Sequence, residues 1–560
     1  MPDVSCNVAR RLAEMAQARP DAVAVAEPLG RDRQGRRQYR SVTFRQLDHD
    51  SDRIARGLLA LGTKPGTRLA LLVRPSIDFI SLVFGLFKSG AVTILIDPGM
   101  GRRSLLRCLA EADPEGFLAM PVVHAVRVFR RSLFPHARWN VTVGRRWFWG
   151  GPTLDQLRGG PWDGSHLAAV TVDQPAAIIF TSGSTGAPKG VLFTHGNFDA
   201  QAEQIRDFFD IQPGGVDVPA FPLFGLFNCA MGTTAVIPDM DSSRPASVNP
   251  ENILEAVRDW QATQSFASPA VWDRVSQYCL SHGKKLPTIR RVLSSGAPVS
   301  PELLRRVRAC IHPEGDMHTP YGATESLPVA SISSREVLGE ASEPGTAEQT
   351  RLGAGVCVGH RFSKIRWRVI RIVDGPIPSI DQAEPLPTGQ IGELIVQGPQ
   401  VTRAYVTRTE ANRLAKIADG DGFWHRIGDS GYLDRLDRFW FCGRVAHRVQ
   451  TATGPMYPIC CEAIFNAHPA VRRSALVGVG MPGRQRPVLI VEPAEGHMPK
   501  NRAAREQFFG ELRALGATNP QTASLSDFLL HHRFPVDIRH NAKIFREKLA
   551  VWAARQLASR

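Results

Sequence analysis

The amino-terminal hundred residues switch between two hydrophobic periods. In residues 44–61 apolar side chains recur about every 3.6 positions, which predicts an amphipathic helix that stops at Gly62. A short apolar run over residues 69–73 predicts a buried strand, residues 76–87 a second helix, and residues 92–96 another strand. Strands that alternate with helices predict a parallel sheet, so the chain is expected to belong to the α/β class.

The chain has 560 residues, of which 43% are hydrophobic and 22% charged. That is enough for several structural units with a sizeable core, and it argues against disorder. No apolar run reaches the roughly 18 residues that a membrane span needs, and residues 1–14 lack a signal-peptide core, so a cytoplasmic protein is expected. The nine cysteines are scattered without zinc-type spacing, which predicts reduced thiols.

The net charge is +15, enough to attract nucleotides, nucleic acid, acidic lipids or a carboxylate substrate. Only ten of the 68 cations are lysines, and such an arginine bias can also reflect coding preference. Residues 116–154 contain no acid, and arginines alternate there with aromatic residues between Arg127 and Trp149. Such a segment can contact membrane or nucleic acid. The interpretation favoured by the sequence is a connector with packed aromatics and solvated arginines.

The sharpest chemical signal lies in residues 178–190. A buried-strand pattern runs into a loop of hydroxyl residues and glycines that ends in Pro188-Lys189-Gly190. Small residues let backbone N–H groups approach phosphate oxygens, and the hydroxyls and the lysine add donors and charge. The spacing does not match a P-loop. The loop is predicted to hold a polyphosphate.

This loop resembles the signature of the adenylate-forming superfamily, which includes acyl-CoA ligases, luciferases and nonribosomal adenylation domains. Six further segments resemble its motifs in the family's order. They are residues 295–298 (SGAP), 321–325 (YGATE), 389–394 (GQIGEL), 426–432 (RIGDSGY), 443–444 (GR) and 541–544 (NAKI).

The resemblance implies ATP and Mg²⁺ as cofactors and assigns a role to each matching residue. Thr185 and Glu325 would hold Mg²⁺, and Lys543 would act at the α-phosphate and the substrate carboxylate. The nucleotide would be held by Thr181, Ser182, Gly183, Ser184, Thr185, Gly186, Lys189, Gly296, Ala297, Pro298, Tyr321, Gly322, Thr324, Asp429 and Arg444. Tyr321 would stack on adenine, and Asp429 with Arg444 would bind the ribose hydroxyls.

The same resemblance implies a large α/β domain over residues 1–442, a hinge at 443–446 and a small mobile α+β domain over 447–560. It also shows where the chain departs from the usual pattern of CoA-forming members. Ala446 replaces the hinge Asp or Lys, Gln450 a frequent lysine, Gly225 a pocket histidine or aromatic residue, and Ala542 a glycine. Thr453 precedes Gly454, so the glycine beside the pantetheine path is displaced.

These departures leave the adenylation residues in place and alter those of the thioester step. Longer strings, such as residues 193–201 and 442–449, resemble the β-lactone synthetase subgroup of bacterial long-chain olefin biosynthesis. The subgroup's substrate is a lipid-like 2-alkyl-3-hydroxyalkanoic acid, and its implied partners are an α/β-hydrolase decarboxylase and an NADPH-dependent reductase. Peripheral membrane contact through residues 127–149 is a further hypothesis, and no nucleic-acid partner is expected.

Three functions remain open on the sequence. The first is β-lactone synthesis, the second long-chain acyl-CoA ligation, and the third non-catalytic binding of nucleotide or RNA through the positive charge. Residues 221–232, with Leu327 and Pro328, are the predicted wall of an apolar acyl pocket, unless they form a buried helix. His195 is expected to start a helix and Cys460 and Cys461 to lie in the core. The base for lactone closure cannot be identified from the sequence.

Overall fold

The computed structural model describes residues 6–161, 164–181, 187–341, 344–536 and 544–558. Its strands are β1 (Val23–Arg31), β2 (Arg37–Thr43), β3 (Arg68–Leu72), β4 (Val92–Leu95), β5 (Gly116–Ala119), β6 (Trp139–Thr142), β7 (Pro175–Phe180), β8 (Gly190–Thr194), β9 (Val216–Asp217), β10 (Thr234–Val236), β11 (Gln264–Phe266), β12 (Arg291–Leu293), β13 (Asp316–Ala323), β14 (Ser326–Ser333), β15 (Val356–Arg361), β16 (Arg366–Ile370), β17 (Gly392–Gln397), β18 (Ala404–Tyr405), β19 (Lys416–Asp419), β20 (Gly422–Leu433), β21 (Arg438–Arg444), β22 (Val449–Thr451), β23 (Gly454–Met456), β24 (Val471–Val479), β25 (Arg486–Pro493) and β26 (Asp527–Leu530). Its helices are α1 (Arg10–Ala18), α2 (Phe44–Ala60), α3 (Ile77–Ser89), α4 (Arg102–Ala112), α5 (Pro121–Phe129), α6 (Leu154–Arg158), α7 (His195–Phe208), α8 (Pro222–Ala230), α9 (Pro250–Trp260), α10 (Pro269–Ser281), α11 (Pro301–Cys310), α12 (Ser334–Leu338), α13 (Thr346–Arg351), α14 (Ala411–Ala415), α15 (Pro458–Phe465), α16 (Arg502–Ala517) and α17 (Arg546–Ala558).

The elements predicted from the amino-terminal pattern are confirmed. Helix α2 begins with a capping box between Thr43 and Gln46, which satisfies backbone N–H groups of the first turn. Helix α3 is capped by the Ser76 side chain and ends at Gly90, whose φ of 75° suits glycine. Strands β3 and β4 lie side by side and parallel, as the alternation of strand and helix implied.

Two large sheets form most of the molecule. Sheet A has the strand order β16-β17-β20-β21-β15-β14-β13-β12-β11-β9-β10-β1-β2, with β19 paired to β20, and sheet B has the order β18-β8-β7-β4-β3-β5-β6. Helix α3 is buried along its length, and its core cluster includes apolar residues of both sheets, such as Val25 and Leu71. The buried helix thus fixes the sheets relative to each other.

A small α+β unit follows β21. Strands β24, β25 and β26 form their own sheet, and α15 and α16 pack on it through a core that includes Phe465, Leu489 and Phe528. The large α/β part and this unit confirm the expected fold class. The exact limits of the hinge at 443–446 stay a prediction.

The described residues also bear on three smaller expectations. None of the helices in these ranges combines the length and apolar character needed to cross a bilayer. All nine cysteines are free thiols, and Cys460 and Cys461 are buried as predicted. His195 begins α7, is fully buried, and accepts a hydrogen bond from the Val8 N–H at 3.3 Å, which is a packing role.

Candidate active site

A large cavity of about 2870 Å³ runs between the two sheets and reaches the carboxyl-terminal unit. Ordinary small-molecule sites occupy roughly 300–1,000 Å³, so this cavity has room for more than one ligand group. The predicted site residues that the structure describes all line it: Thr181, Lys189, Gly296, Ala297, Pro298, Tyr321, Gly322, Thr324, Glu325, Asp429 and Arg444. Ser182, Gly183, Ser184, Thr185, Gly186 and Lys543 lie outside the described residues.

The two ends of the predicted phosphate loop are joined at its base. Strand β7 pairs antiparallel with β8 as far as Phe180 and Gly190. Beyond that pair, the Thr181 N–H donates to the Lys189 carbonyl at 3.0 Å, and the Lys189 N–H donates to Thr181 Oγ1 at 3.1 Å. The Gly190 N–H donates to Thr407 Oγ1 at 2.8 Å. Thr181 and Lys189 are therefore held at the cavity by the sheet itself.

The segment from Gly296 to Pro298 follows the carboxyl end of β12, where ligands of α/β sheets usually bind. Gly296 has a φ of 94°, a conformation that glycine adopts without steric cost. Gly322 is constrained differently, because a Cβ there would lie 2.5 Å from the Ser326 carbonyl oxygen. Glycine is required at both positions to keep the backbone close to the site.

Asp429 is held by groups from two neighbouring parts of sheet A. The Tyr321 hydroxyl donates to its Oδ2 at 2.5 Å, and Arg444 Nη1 donates to its Oδ1 at 2.7 Å. Asp429 and Arg444 are also register partners on β20 and β21. The Asp429 carboxylate raises the pKa of Arg444, whereas burial, reinforced by Asp429, raises the pKa of Tyr321. At neutral pH the Tyr321 phenol therefore stays neutral and the Arg444 guanidinium charged.

Glu325 occupies the turn between β13 and β14, with its backbone fixed by Thr402. The Thr402 N–H and hydroxyl both donate to the Glu325 carbonyl, at 2.9 and 3.1 Å. The Tyr405 hydroxyl donates to Glu325 Oε1 at 2.6 Å, and Lys189 Nζ lies 4.4 Å from the centre of the Tyr405 ring. Tyr405 thereby connects Glu325 with Lys189.

Sequence reasoning missed Tyr405. It belongs to the two-residue strand β18, which pairs with β8 more than two hundred positions earlier in the chain. Around position 405 the sequence offers only the tyrosine itself as a signal, a residue type that occurs six times in the chain. A short strand of this kind has no readable period.

Two further ionisable groups, Lys416 and His425, lie in this part of the structure. Burial lowers the pKa of Lys416 to about 7, although the Glu325 charge opposes the shift, and Lys416 Nζ donates to the Thr402 carbonyl. Burial and the nearby Lys416 lower the pKa of His425 well below its usual range. His425 lines the cavity and its Nδ1 lies 3.1 Å from the Ala415 carbonyl, so its imidazole is neutral at physiological pH. Neither group was singled out from the sequence.

One side of the cavity has an apolar wall. Helix α8 supplies part of its wall, and the Phe224 ring stacks on Phe266 at 4.3 Å. Leu327 and Pro328 also line it, as predicted. The segment is therefore both a helix and a cavity wall.

Gly225, a departure from the usual pattern, faces α3. A Cβ at this position would lie 3.3 Å from Ile80 Cδ1, so the helices approach closely here. A side chain at position 225 would have to displace the end of the Ile80 side chain.

The carboxyl-terminal unit lines the far side of the cavity. Arg546 Nη2 pairs with Glu462 Oε2 at 2.6 Å, and His447 Nε2 lies 2.8 Å from Glu547 Oε1. Burial raises the pKa of Glu462, and the Arg546 charge opposes that shift. These contacts tie α17, which follows the segment that contains Lys543, to α15 and to the turn after β21.

Comparison with known proteins agrees with this geometry. The family model of the AMP-binding enzyme matches residues 12–406. Two curated relatives, both named olefin beta-lactone synthetase, match the chain at nearly full length. The relative from Xanthomonas campestris pv. campestris is 47% identical, with 98% of each chain covered, and that from Stenotrophomonas maltophilia is 46% identical, with 99% covered.

Among solved structures, ATP-bound MatB from Rhodopseudomonas palustris superposes with a TM-score of 0.77. The match covers 98% of this chain and 99% of that one, and the two sequences are 20% identical. At that identity the likeness concerns the fold. Together with the family match and the full-length relatives, the cavity identifies an AMP-forming, ATP-binding enzyme, and the chain belongs to the AMP-binding enzyme family.

Proposed function

We propose that the enzyme converts a 2-alkyl-3-hydroxyalkanoic acid into a β-lactone, with ATP cleaved to AMP and pyrophosphate, as a step of long-chain olefin synthesis. The observation that carries the proposal is identity of 46–47% over almost the whole chain to two olefin beta-lactone synthetases. The apolar wall that adjoins the nucleotide residues suits a lipid-like acid.

In the first step the substrate carboxylate oxygen attacks the α-phosphorus of ATP, and the bond to pyrophosphate breaks. Two like charges about 4 Å apart repel by roughly 4 kcal/mol at an effective dielectric of 20. Lys189, Lys543, Thr324 and the hydroxyls of the 181–186 loop are the proposed cations and donors that offset this repulsion. Asp429 and Arg444 are the proposed ribose contacts, and Tyr321 with the 296–298 segment the adenine contacts.

Glu325 and Thr185 are the proposed Mg²⁺ ligands. Mg²⁺ is usually held by one or two carboxylates together with substrate phosphates, and Glu325 supplies one carboxylate at the cavity. Its Oε1 accepts from Tyr405, which orients the carboxylate, and among the described residues no hydrogen bond to Oε2 is found. When bound there, the ion would neutralise phosphate charge.

In the second step the substrate's own 3-hydroxyl oxygen attacks the carbonyl carbon of the acyl-adenylate. The bond to AMP breaks, the hydroxyl proton passes to a base or to water, and a four-membered ring closes. Because nucleophile and electrophile belong to one molecule, the effective concentration is high and no thiol has to enter. The Ala446, Gln450, Thr453, Gly225 and Ala542 departures from the CoA-forming pattern suit such a reaction.

The rival function is long-chain acyl-CoA ligation. Purified enzyme is incubated with ATP, Mg²⁺ and a 2-alkyl-3-hydroxy acid, with and without CoA, and the products are identified by mass. Lactone formed without CoA supports the proposal. Acyl-CoA with CoA, and no product in its absence, overturns it.

Three more specific assignments belong to the same proposal: the cellular location with its partner enzymes, the hinge, and a membrane contact. The enzyme works in the cytoplasm with a hydrolase that decarboxylates the lactone and with an NADPH-dependent reductase that supplies the hydroxy acid. Residues 443–446 act as the hinge of the carboxyl-terminal unit.

Part of the 127–149 segment contacts membrane. Phe129, Trp147 and Phe148 are 78%, 54% and 64% exposed, whereas Phe134 and Trp149 are buried.

A further inference from the structure

We infer that the part of the cavity between α4, α5 and sheet B, hereafter the sheet B arm, binds one of the two alkyl chains of the substrate. The inference rests on the proposed function, because only a 2-alkyl-3-hydroxy acid presents two chains that diverge next to the activated carboxyl group. The α8 wall is another part of the same cavity, since α8 packs on β1 and β10 of sheet A.

The sheet B arm lies at the carboxyl ends of parallel strands. Strands β3 and β5 are in parallel register from Leu69 to Leu72, and β4 is parallel to both β3 and β7. Arg102, at the start of α4, also lines the cavity. The apolar side chains of the arm come from these strand ends, from the two helices that cover them and from the turn after α5. They are Leu72, Leu105, Leu106, Met120, Val123 and Phe134.

The lining is shaped by packing. Phe117 and Phe134 meet edge to face at 5.1 Å in a cluster that also contains Leu109. Leu105, Leu106 and Val123 are only partly buried, and they pack against that cluster from the side. Protein interiors are normally filled, so an apolar space of this kind that joins a reaction site indicates a ligand group.

The arm is continuous with the site of adenylation. The same cavity includes Phe180 and Thr181 at the end of β7, and Lys189. A linear acid needs one apolar channel from the carboxyl group, whereas an acid substituted at C2 and extended beyond C3 needs two. The α8 wall and the sheet B arm supply two.

The outer end of the arm is open on α5. Val122, Val126 and Phe129 line it and are 57%, 41% and 78% exposed. Arg127 and Arg130 stand beside them. An open end tolerates chains of different length, because carbons beyond the covered part leave the protein at this apolar rim.

The main test narrows the arm with Val123→Trp and compares it with Val172→Trp, a half-exposed position outside the cavity lining. Two substrate series are used, one lengthened on the 2-alkyl branch and the other beyond C3. Val172→Trp should match the parent throughout, and Val123→Trp is judged by how its kcat/KM changes with chain length relative to its own value on the shortest acid. In one series only, it should lose about fourfold in kcat/KM for each methylene that no longer enters. An unchanged chain-length profile in both series overturns the inference.

A second measurement decides the same point without relying on catalysis or on space for tryptophan. Val123→Cys is made in a Cys6→Ser background, since the other eight cysteines are buried, and its introduced thiol is labelled with N-ethylmaleimide. Long-chain hydroxy acid should slow labelling at least severalfold and the shortest acid should not. Equal labelling with both acids overturns the subsite.

These results separate the inference from the proposed function. Protection of the introduced thiol by the long acid, with only acyl-CoA as product, would retain the arm and refute lactone synthesis. Lactone formation with neither protection nor a changed chain-length profile would refute the arm alone.

Discussion

The Tyr405 hydroxyl donates to Glu325 Oε1 at 2.6 Å, and the same tyrosine ring lies against Lys189 Nζ. Burial and the Glu325 charge both raise the pKa of Tyr405, so the phenol stays protonated and remains a donor. A strand of two residues thus orients the carboxylate at the centre of the proposed metal site.

Tyr405→Phe is expected to raise the Mg²⁺ concentration for half-maximal pyrophosphate release by roughly tenfold, since a hydrogen bond to a charged group is lost. Tyr432→Phe is the matched control, because that hydroxyl donates to the Ala354 carbonyl away from the cavity. The same Mg²⁺ dependence in both variants would contradict the role given to Tyr405.

Asp429→Asn is expected to weaken ATP binding by about tenfold or more in a calorimetric titration, because Arg444 and Tyr321 lose their common anionic partner. Asp434→Asn serves as the control: its carboxylate accepts from Arg438 and Trp440, each at 2.8 Å, outside the cavity. That variant should lower stability and leave ATP affinity unchanged. If Asp429→Asn binds ATP as the parent does, the ribose assignment fails.

Lys543→Ala is expected to abolish ATP–pyrophosphate exchange and to leave the thermal unfolding midpoint unchanged. Lys548, whose Nζ lies 4.7 Å from the centre of the Phe545 ring, provides the comparison. Lys548→Ala should retain most of the exchange rate. Normal exchange in Lys543→Ala would remove that lysine from the mechanism.

The buried His124 makes stability dependent on pH. Its Nδ1 accepts from Arg127 Nε at 3.3 Å and its Nε2 lies 2.9 Å from the Val141 carbonyl, an arrangement that requires the neutral ring. Burial lowers its pKa to about 4. The unfolded chain, with a pKa near 6.5, therefore takes up the proton first as pH falls, and stability is lost from about pH 6.5 down to 4.

His124→Gln should remove this contribution, which amounts to about 2 kcal/mol between pH 7 and pH 5. The measurement is the free energy of unfolding in urea at the two pH values. A parent-like slope in His124→Gln would show that folding does not lower the pKa of His124.

The double variant Phe129→Ser, Trp147→Ser should lose most of the binding to vesicles that contain anionic lipid. Exposed aromatic side chains and neighbouring arginines both favour such a surface. Leu436→Ser changes an equally apolar position, 61% exposed, between β20 and β21 and should bind like the parent. Co-sedimentation measures both. No vesicle binding by the parent would refute membrane contact.

Local patterns in the sequence predict those features that depend on neighbouring residues. The period of residues 44–61 identifies α2, and the strand-loop-lysine string identifies the base of the phosphate loop. Motif order then assigns Tyr321, Glu325, Asp429 and Arg444 to one site, and the structure finds them at one cavity.

What escapes prediction depends on contacts between distant segments. Tyr405 reaches Glu325 because β18 pairs with β8, and no local period encodes that pairing. The sheet B arm arises where α4 and α5 cover strand ends, so its space belongs to no single stretch of sequence. The sequence predicts a packed connector for residues 127–149, whereas the structure divides the segment: Phe134 and Trp149 are buried, and Phe129 and Phe148 are exposed.

Arg444 is the last residue of β21 and is opposite Asp429 in the sheet, while its guanidinium also donates to the Ile427 carbonyl at 2.9 Å. Within the proposed hinge at 443–446, the rotation must therefore take place beyond Arg444, at Val445 or Ala446, if those bonds are to survive. A rotation that starts there would move Lys543, the proposed catalytic lysine, and leave the proposed ribose contacts of Asp429 and Arg444 in place. In the proposed reaction, the enzyme would then pass from adenylation to lactone closure while the acyl-adenylate stays bound.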